Sequence, residues 1–301
     1  MAGAATAGAG DEAGRPQGTI AIIKPRVLLL LVFVGLTGAV VAGGKGTDPV
    51  VLLPLLAGGL LSVGAANILN NVLDKDRDSL MSRTMWRPLP AGTVRPATAT
   101  VIAVVIGAAG VGLLWYAYNA LTALLTVAGI LFYIVVYTSV LKSRTPQNIV
   151  LGGFAGAFPA LVGWTAVTGS LGTPPLIIGL LVVLWTPPHF WSLALLFEED
   201  YRKAGVPMLP VVKGERATRT SIAIVTVMMV VASFLYIDVG GWGLYLVGVA
   251  LLDAPMVVLS CALLVSSSRR VAWWLFKFSS VYLALLLVLM MVESVYPRPI
   301  L

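Results

Sequence analysis

The chain has 301 residues, of which 58% are hydrophobic and 11% are charged, and its formal net charge is +7. Soluble domains carry roughly 25% charged residues, so this composition leaves too little polar surface for a water-facing exterior and excludes a soluble globular protein. With one cysteine and one histidine, the chain also excludes an internal disulfide framework and a metal site built from several histidines.

The N-terminal tail is the first predicted element. Residues 1–18 are rich in Ala and Gly and contain neither the apolar core of a signal peptide nor the Arg-rich amphipathic pattern of a transit peptide. We therefore predict a disordered cytoplasmic tail at 1–18 and a single transmembrane domain at 19–301. This pattern favours a bacterial plasma membrane over an organelle.

Nine apolar runs follow the tail, and each is about 20 residues long, enough to cross a bilayer as a helix. Because the runs are continuous and do not alternate, they predict helices rather than a barrel, and hence an all-α integral membrane protein. The predicted spans are 24–43, 49–72, 96–116, 119–138, 149–169, 173–194, 218–237, 242–266 and 271–292.

The longest linkers follow the second and the sixth span. They begin with acidic residues and end in similar phrases, RPLPAG at 87–92 and PMLPVVKG at 207–214. Their separation by four spans favours an ancient duplication of a four-helix unit, with a site between the two halves.

Positive charge lies almost entirely on one side of the predicted membrane. Of the 20 Lys and Arg residues, all but three lie in the N-terminal segment, the three long linkers or the linker after the eighth span. The exceptions are Lys45 and Arg298 on the other side and Lys277 inside the last span. The positive-inside rule then predicts a cytoplasmic N-terminus, cytoplasmic long linkers and an outside C-terminus. We expect contact with membrane lipid and no nucleic-acid partner.

A polar cluster ends the second span. Asn70, Asp74 and Asp78 are each four residues apart, so they line one face of a helix, and Asn67 extends that face. Mg²⁺ prefers one or two carboxylates together with phosphate oxygens, and arginines bind the remaining phosphate charge. The cluster therefore predicts a magnesium and diphosphate site, whereas a solvated helix end remains the alternative. The neighbouring cations are Arg77, Arg83 and Arg87.

The pattern N-x-x-x-D-x-x-x-D resembles the first aspartate-rich motif of the UbiA superfamily of intramembrane prenyltransferases. Longer phrases resemble the protoheme IX farnesyltransferase family within that superfamily. They are DKDRDSLMSRTMWRPLPAG (74–92), YTSVLKSRTPQNIVLGGFAGAFPALVGW (137–164), WTPPHFWSLALLFEEDYRKAGVPMLPVVKG (185–214) and the short KPRV (24–27). The resemblance implies a UbiA-type bundle of about nine helices whose central cavity opens to the cytoplasmic side.

The resemblance also implies a reaction. A farnesyl group would pass from farnesyl diphosphate to a vinyl group of haem B, and water addition would give haem O, with Mg²⁺ as the cofactor. The implied magnesium ligands, which with Lys142 form the catalytic set, are Asn70, Asp74, Asp78 and Asp200. The implied substrate-binding residues are Asn67, Arg77, Arg83, Arg87, Lys203, His189, Lys24 and Arg26. A downstream haem A synthase is a further candidate partner.

Several of these positions keep a second interpretation. The loop after the sixth span has EEDY in place of a regularly spaced second aspartate motif, so Asp200 is chosen as the ligand. Lys142 is either a diphosphate contact or a topology-determining charge. His189 is either a packed, hydrogen-bonding residue or a haem neighbour on the same helix face as Asp200. Asp253 and Lys277 are left unassigned.

Two other classes of acceptor or function stay open. The Asp cluster alone does not distinguish haem from an aromatic quinone precursor as the acceptor of a UbiA-type enzyme. A transporter also places polar residues and repeats inside the membrane, although here the polar residues cluster at predicted helix ends. A purely structural assembly factor is disfavoured by the acidic cluster.

Overall fold

The computed structural model describes residues 18–237 and 243–296, and that part of the chain is helical and contains no strand. The predicted tail, apart from its last residue, and the C-terminal Arg298 lie outside the described residues.

Nine helices in the described part are long and apolar enough to cross a membrane, as the apolar runs predict. They are α1 (Pro25–Gly43), α2 (Leu52–Asp78), α3 (Pro96–Ala117), α4 (Ala120–Leu141), α5 (Asn148–Thr168), α6 (Thr173–Leu196), α7 (Leu209–Phe234), α8 (Leu244–Val265) and α9 (Arg269–Val295). Short 3₁₀ turns precede α1 and α2 at Thr19–Ile23 and Pro49–Val51, and a short helix, Glu198–Lys203, lies between α6 and α7.

Two helix boundaries differ from the hydropathy prediction. Helix α2 continues past the apolar run to Asp78, because its polar last turns are buried against protein rather than exposed to lipid. Helix α7 begins at Leu209, and its first turn is separated from the rest by Gly214, whose positive φ of 79° interrupts the helix. Hydropathy alone does not report either feature, since both concern segments that lie outside the apolar window.

Small residues bring the first helices into close contact. A Cβ added at Gly163 of α5 would lie 1.7 Å from the carbonyl oxygen of Gly35 on α1, and one at Gly38 would lie 2.3 Å from that of Ala160. Helices α2 and α3 meet in the same way at Gly58 and Gly110. Such small-residue contacts let membrane helices approach closely where lipid provides no hydrophobic drive for association.

The remaining helices, α6 to α9, pack around one another and join the first half mainly through contacts of α6 with α5 and of α9 with α1. Three helices, α2, α4 and α6, end at the same side of the bundle. We call this side the polar face and define it by the connecting segments 79–95, 142–147 and 197–208. It carries five of the residues predicted to act in the site, Arg83, Arg87, Lys142, Asp200 and Lys203.

The second half of α4 has a wider helical turn. Residues Phe132–Leu141 form a π-helix, in which hydrogen bonds reach back five residues. Such turns are uncommon and are often found at functional sites. This one faces α2 beside the polar cluster.

Candidate functional site

The polar end of α2 lies inside the protein. Asn70, Asp74 and Asp78 are only 1%, 1% and 5% exposed, and they lie on one face of the helix, as their spacing predicts. Two carboxylates one turn apart repel each other, so the helix alone gains nothing from them. Their burial therefore requires partners from other parts of the chain.

Asp74 meets cations from two helices. The Lys142 ammonium, at the end of α4, lies 2.5 Å from one carboxylate oxygen, and the Asn70 amide donates to the same oxygen at 2.9 Å. The guanidinium of Arg77 lies 3.5 Å from the other oxygen. The structure thus places Lys142 in the cluster, as its interpretation as a diphosphate contact requires.

Asp78 is paired with Arg87, which folds back from the segment after α2. The guanidinium of Arg87 donates to the Asp78 carboxylate at 2.7 Å and reaches the Asn71 side-chain oxygen at 3.5 Å. The Thr84 hydroxyl donates to the Asp78 backbone carbonyl at 3.0 Å, which holds this segment against the end of α2.

Lys24 reaches the cluster from the N-terminal side of α1. Its ammonium donates to the side-chain oxygen of Asn70, and the Asn70 amide donates to the Thr138 hydroxyl at 2.8 Å. Thr138 belongs to the π-helical part of α4, where its hydroxyl donates to the Tyr133 carbonyl five residues back. The wider turn therefore contributes a polar contact to the site that the sequence motif did not indicate.

The electrostatic balance of the cluster favours an anion. Three cations, Arg77, Arg87 and Lys142, and the amine of Lys24 surround two buried carboxylates. Burial, followed by the charges of Arg87 and Lys142, lowers the pKa of Lys24 to about 7. For Lys142, burial is the largest single influence and lowers the pKa, but the charge of Asp74, the hydrogen bond to Asp74 and the nearby Tyr137 and Asp78 together outweigh it, so the pKa is raised. The excess positive charge suits a ligand such as diphosphate.

The oxygen atoms of the cluster fit a hard divalent cation. One oxygen of Asp74 is buried and accepts no hydrogen bond, whereas one Asp78 oxygen and the Asn70 oxygen on the same face accept hydrogen bonds. Within the described residues no group of three His, Cys, Asp or Glu side chains lies close enough to form a complete metal site. A bound Mg²⁺ would therefore take part of its shell from substrate phosphate or water, which is its usual habit.

Asp200 lies on the polar face, where it meets the segment after α2. The Ser82 hydroxyl donates to its carboxylate at 2.6 Å, and the neighbouring Arg83 guanidinium lies 5.9 Å from the ring centre of Phe197. These contacts join the two longest connecting segments. They do not bring Asp200 together with Asp74 and Asp78, so its predicted role as a magnesium ligand stays a prediction.

The other cations of the polar face are more exposed. Lys203 is 61% exposed and lies 3.9 Å from Glu199, while Arg202 pairs with Glu198. Arg26 is exposed on the first turn of α1 and makes no ion pair within the described residues. Its predicted substrate contact, like that of Lys203, stays a prediction.

His189 lies between α6 and α9. Its Nδ1 shares a 2.8 Å hydrogen bond with the Ser279 hydroxyl, and its ring is stacked between Trp185 and Phe276 at centroid distances of 4.4 and 4.6 Å. The predicted common face with Asp200 requires an unbroken helix, but α6 ends at Leu196 and the next residue has non-helical backbone angles. Both ring faces are covered, so a porphyrin would meet only the ring edge.

The unassigned Asp253 ties three helices together. Its carboxylate accepts hydrogen bonds from Ser233 of α7 at 2.9 Å and from Tyr282 of α9 at 2.8 Å. These contacts give both carboxylate oxygens a partner and favour a structural role. Lys277 lies 5.3 Å from the ring centre of Trp273, on the outer surface of α9.

Two cavities lie outside the cluster. One, of about 490 Å³, is lined by apolar residues of α2, α3 and α4, among them Ala65 and Leu69. Both residues point away from the Asp74 side of α2, so this is a lipid-facing groove rather than part of the site. The other, of about 540 Å³, opens on the polar face beside Asp200 and Arg269.

A separate observation indicates open space inside the bundle. Gly64 is buried on α2, nearly one turn before Asn67, yet an added Cβ would meet no atom within 4 Å. At about 100° per residue, Gly64 lies on the side of α2 that carries Asn71 and Asp78, roughly 80° around the helix from Asp74.

Known proteins resemble the chain over nearly its whole length. The sequence model of the UbiA prenyltransferase family matches residues 30–292. A protein of Gloeobacter violaceus named protoheme IX farnesyltransferase is 43% identical over 91% of both chains. A protein of the same name from Thermus thermophilus is 44% identical over 91% of this chain, which spans only 45% of that relative's length.

Solved structures share the fold at low sequence identity. A digeranylgeranylglyceryl phosphate synthase aligns with a TM-score of 0.74 at 20% identity and covers 92% of this chain and 97% of its own. A UbiA homologue from Archaeoglobus fulgidus, bound to DMAPP and Mg²⁺, aligns with a TM-score of 0.61 at 13% identity and covers 93% of this chain and 100% of its own. These likenesses establish the helical fold that the sequence predicts.

Proposed function

The chain belongs to the UbiA prenyltransferase family, and on this basis we propose that it transfers a farnesyl group from farnesyl diphosphate to a vinyl group of haem B. Addition of water to the resulting cation then gives haem O. The observation that carries the proposal is the name shared by relatives that are 42–45% identical over at least 90% of this chain, protoheme IX farnesyltransferase.

The chemistry of the cluster supports the first half of this reaction. Lys24, Arg77, Arg87 and Lys142 are arranged to bind the diphosphate oxygens and to stabilise the charge that develops when diphosphate leaves. Asn70, Asp74 and Asp78 would hold Mg²⁺, which when bound supplies Lewis-acid stabilisation to the leaving group. The Mg²⁺ and DMAPP bound to the Archaeoglobus homologue favour this assignment.

The interior of the bundle supports the second step of the reaction, in which the farnesyl cation reacts with the vinyl group. Departure of diphosphate leaves an allylic cation, which water would capture unless the site excludes it. The open space beside Gly64 lies within the membrane part of α2 and is the place we assign to the farnesyl chain. Positioning the chain and the vinyl group together there supplies rate without a strong base.

The acceptor would enter from the second half of the bundle. His189 and its stacked partners Trp185 and Phe276 lie on the α6–α9 interface, and we assign the edge of the His189 ring to the haem. This assignment depends on the resemblance and not on a contact present in the structure. A haem A synthase as a docking partner likewise stays a prediction.

The membrane and its orientation are part of the proposal. The nine apolar helices among residues 18–237 and 243–296 make the chain a multi-pass membrane protein. The polar face carries Arg83, Arg87, Lys142 and Arg144, so the positive-inside rule directs it to the cytoplasm, where water-soluble diphosphate is released. We propose a bacterial plasma membrane with a cytoplasmic N-terminus and an outside C-terminus.

Product mass tests the proposal. Purified protein in detergent, given haem B, farnesyl diphosphate and Mg²⁺, should yield haem O by mass spectrometry, and chelation of Mg²⁺ should stop its formation. If haem B is recovered unchanged while farnesyl diphosphate is consumed with another acceptor, the haem assignment fails and the family assignment stands.

A further inference from the structure

Two buried asparagines of α2 bind the backbone that leads into α1. The Asn71 amide donates to the Ile22 carbonyl at 2.6 Å, and the Asn67 amide donates to the Ile23 carbonyl at 2.8 Å. Both side chains are at most 2% exposed. These carbonyls belong to the last residues of the 3₁₀ turn before Lys24. Carbonyl groups at the end of a helix lack partners within the helix, so the two amides supply their hydrogen bonds.

Lys24 has an unusual backbone. With φ at 51° and ψ at 68°, it is the one non-glycine residue with positive φ in the described part of the chain. Glycine adopts this left-handed conformation without steric cost, so a turn alone does not call for lysine here. What lysine adds is its ammonium, which donates to Asn70 inside the cluster.

The surrounding packing leaves this turn few alternatives. Ile22 is buried in an apolar cluster with Ile68 of α2 and Leu89 of the polar face. Pro25 begins α1 directly after Lys24 and fixes the backbone on the other side. The two asparagine amides complete this restraint from α2, the same helix that carries the carboxylates.

We propose that Asn67 and Asn71 are positioning residues that hold the Ile22–Lys24 turn so that the Lys24 ammonium faces the diphosphate. The inference rests on the proposed function, because it assigns Lys24 to the diphosphate of that reaction. An ammonium has three donors, and Asn70 takes one, so the others are available to phosphate oxygens. Asn67 then acts through the backbone, and not by direct contact with the substrate.

A double-mutant cycle tests the proposal in the full-length protein. We would measure the affinity for farnesyl diphosphate with Mg²⁺ by calorimetry, and kcat and KM for each substrate, in Asn71→Ala, Lys24→Gln and the double variant. Asn71→Ala should weaken farnesyl diphosphate binding about tenfold, the factor that corresponds to ~1.4 kcal/mol, and leave the KM for haem B unchanged. In the Lys24→Gln background the same change should have almost no further effect. Asn71 also contacts Arg87 at 3.5 Å, so the cycle is run in parallel with Asn67→Ala, which removes a bond to the same turn without touching that contact.

A matched control is available at the other end of the bundle. The Asn119 amide also donates to a backbone carbonyl of another helix, that of Thr165, at 2.8 Å. Asn119→Ala should lower thermal stability without changing the affinity for farnesyl diphosphate. If Asn71→Ala does not fold, Asn67→Ala replaces it in the same cycle.

Two results would overturn the inference. One is additive losses in the cycle, and the other is an equal loss of affinity for both substrates. Failure of the proposed function has a different signature, namely wild-type protein that binds farnesyl diphosphate but makes no haem O. In that case the cycle is evaluated on binding alone.

Discussion

Replacing Asp74 with asparagine separates two roles of its negative charge, namely stabilising the fold through an ion pair and supporting turnover as a predicted magnesium ligand. The carboxylate is 1% exposed and is paired with the Lys142 ammonium at 2.5 Å. Removal of one partner of a buried pair costs about 3–5 kcal/mol, whereas exposed pairs contribute about 0–1 kcal/mol. Lys142 retains 20% side-chain exposure, so the pair is intermediate between a buried and an exposed one, and the new amide can still accept a hydrogen bond. We therefore expect the free energy of unfolding to fall by about 2 kcal/mol.

The effect on turnover should be larger than the effect on stability. Asp74→Asn removes a predicted magnesium ligand and leaves Arg77, Arg87 and Lys142 around one carboxylate, so kcat should fall by at least about 100-fold, the size of effect seen when a single stabilising group is lost. Haem O formation measured by mass spectrometry, together with thermal unfolding in detergent, reports the two quantities separately.

The double variant Asp74→Asn with Lys142→Met is the control. It removes both charges of the pair, so much of the lost stability should return, because no buried charge is left without its partner. Turnover should stay low. The reasoning is refuted if Asp74→Asn turns over within about threefold of wild type, or if restoring stability in the double variant also restores turnover.

Four further substitutions test other parts of the account. Arg87→Lys keeps the charge but not the reach of the guanidinium to both Asp78 and the neighbouring amide, so the KM for farnesyl diphosphate should rise about tenfold, and an unchanged KM would contradict this. Gly64→Leu should fill the interior space and slow reaction with farnesyl diphosphate more than with dimethylallyl diphosphate. The control is Gly112→Leu, which should change neither rate, because Gly112 lies in the lipid-facing groove and an added Cβ there also meets no atom within 4 Å. His189→Phe should raise the KM for haem B and leave farnesyl diphosphate affinity unchanged, and an unaltered haem affinity and absorption spectrum would remove it from the haem site. Asp253→Ala should lower thermal stability through loss of its two hydrogen bonds, with both KM values unchanged.

The helical architecture could be predicted because the membrane imposes it. Lipid leaves the backbone no external hydrogen-bond partner, so each apolar run of sufficient length becomes a helix. In the part of the chain that the structure describes the count of nine is confirmed, and so is the membership of the UbiA family. The end of α2 could not be placed by hydropathy, since Asp74 and Asp78 are buried by ion pairs with distant residues.

The spacing of Asn70, Asp74 and Asp78 predicted one helical face, and the structure has that face. The partners of this face were harder to predict, because Thr138 lies 68 residues away in sequence and depends on a π-helical turn. No sequence pattern predicts the positioning role proposed for Asn71, because that role depends on a hydrogen bond to the Ile22 carbonyl, 49 residues earlier in the chain.

The predictions for His189 and Asp200 both assume regular local structure. The expected common face of His189 and Asp200 required a continuous helix, which the non-helical Phe197 interrupts. The predicted magnesium site requires Asp200 beside the other carboxylates, but in the structure Asp200 accepts a hydrogen bond from Ser82 on the polar face. Both depend on how the connecting segments fold, which periodicity does not describe.

An acceptor competition tests the central claim most directly. Protein incubated with farnesyl diphosphate, Mg²⁺ and equal concentrations of haem B and 4-hydroxybenzoate should produce haem O alone, identified by mass. Farnesylated 4-hydroxybenzoate as the main product, with haem B unchanged, would contradict the assignment of haem as the acceptor.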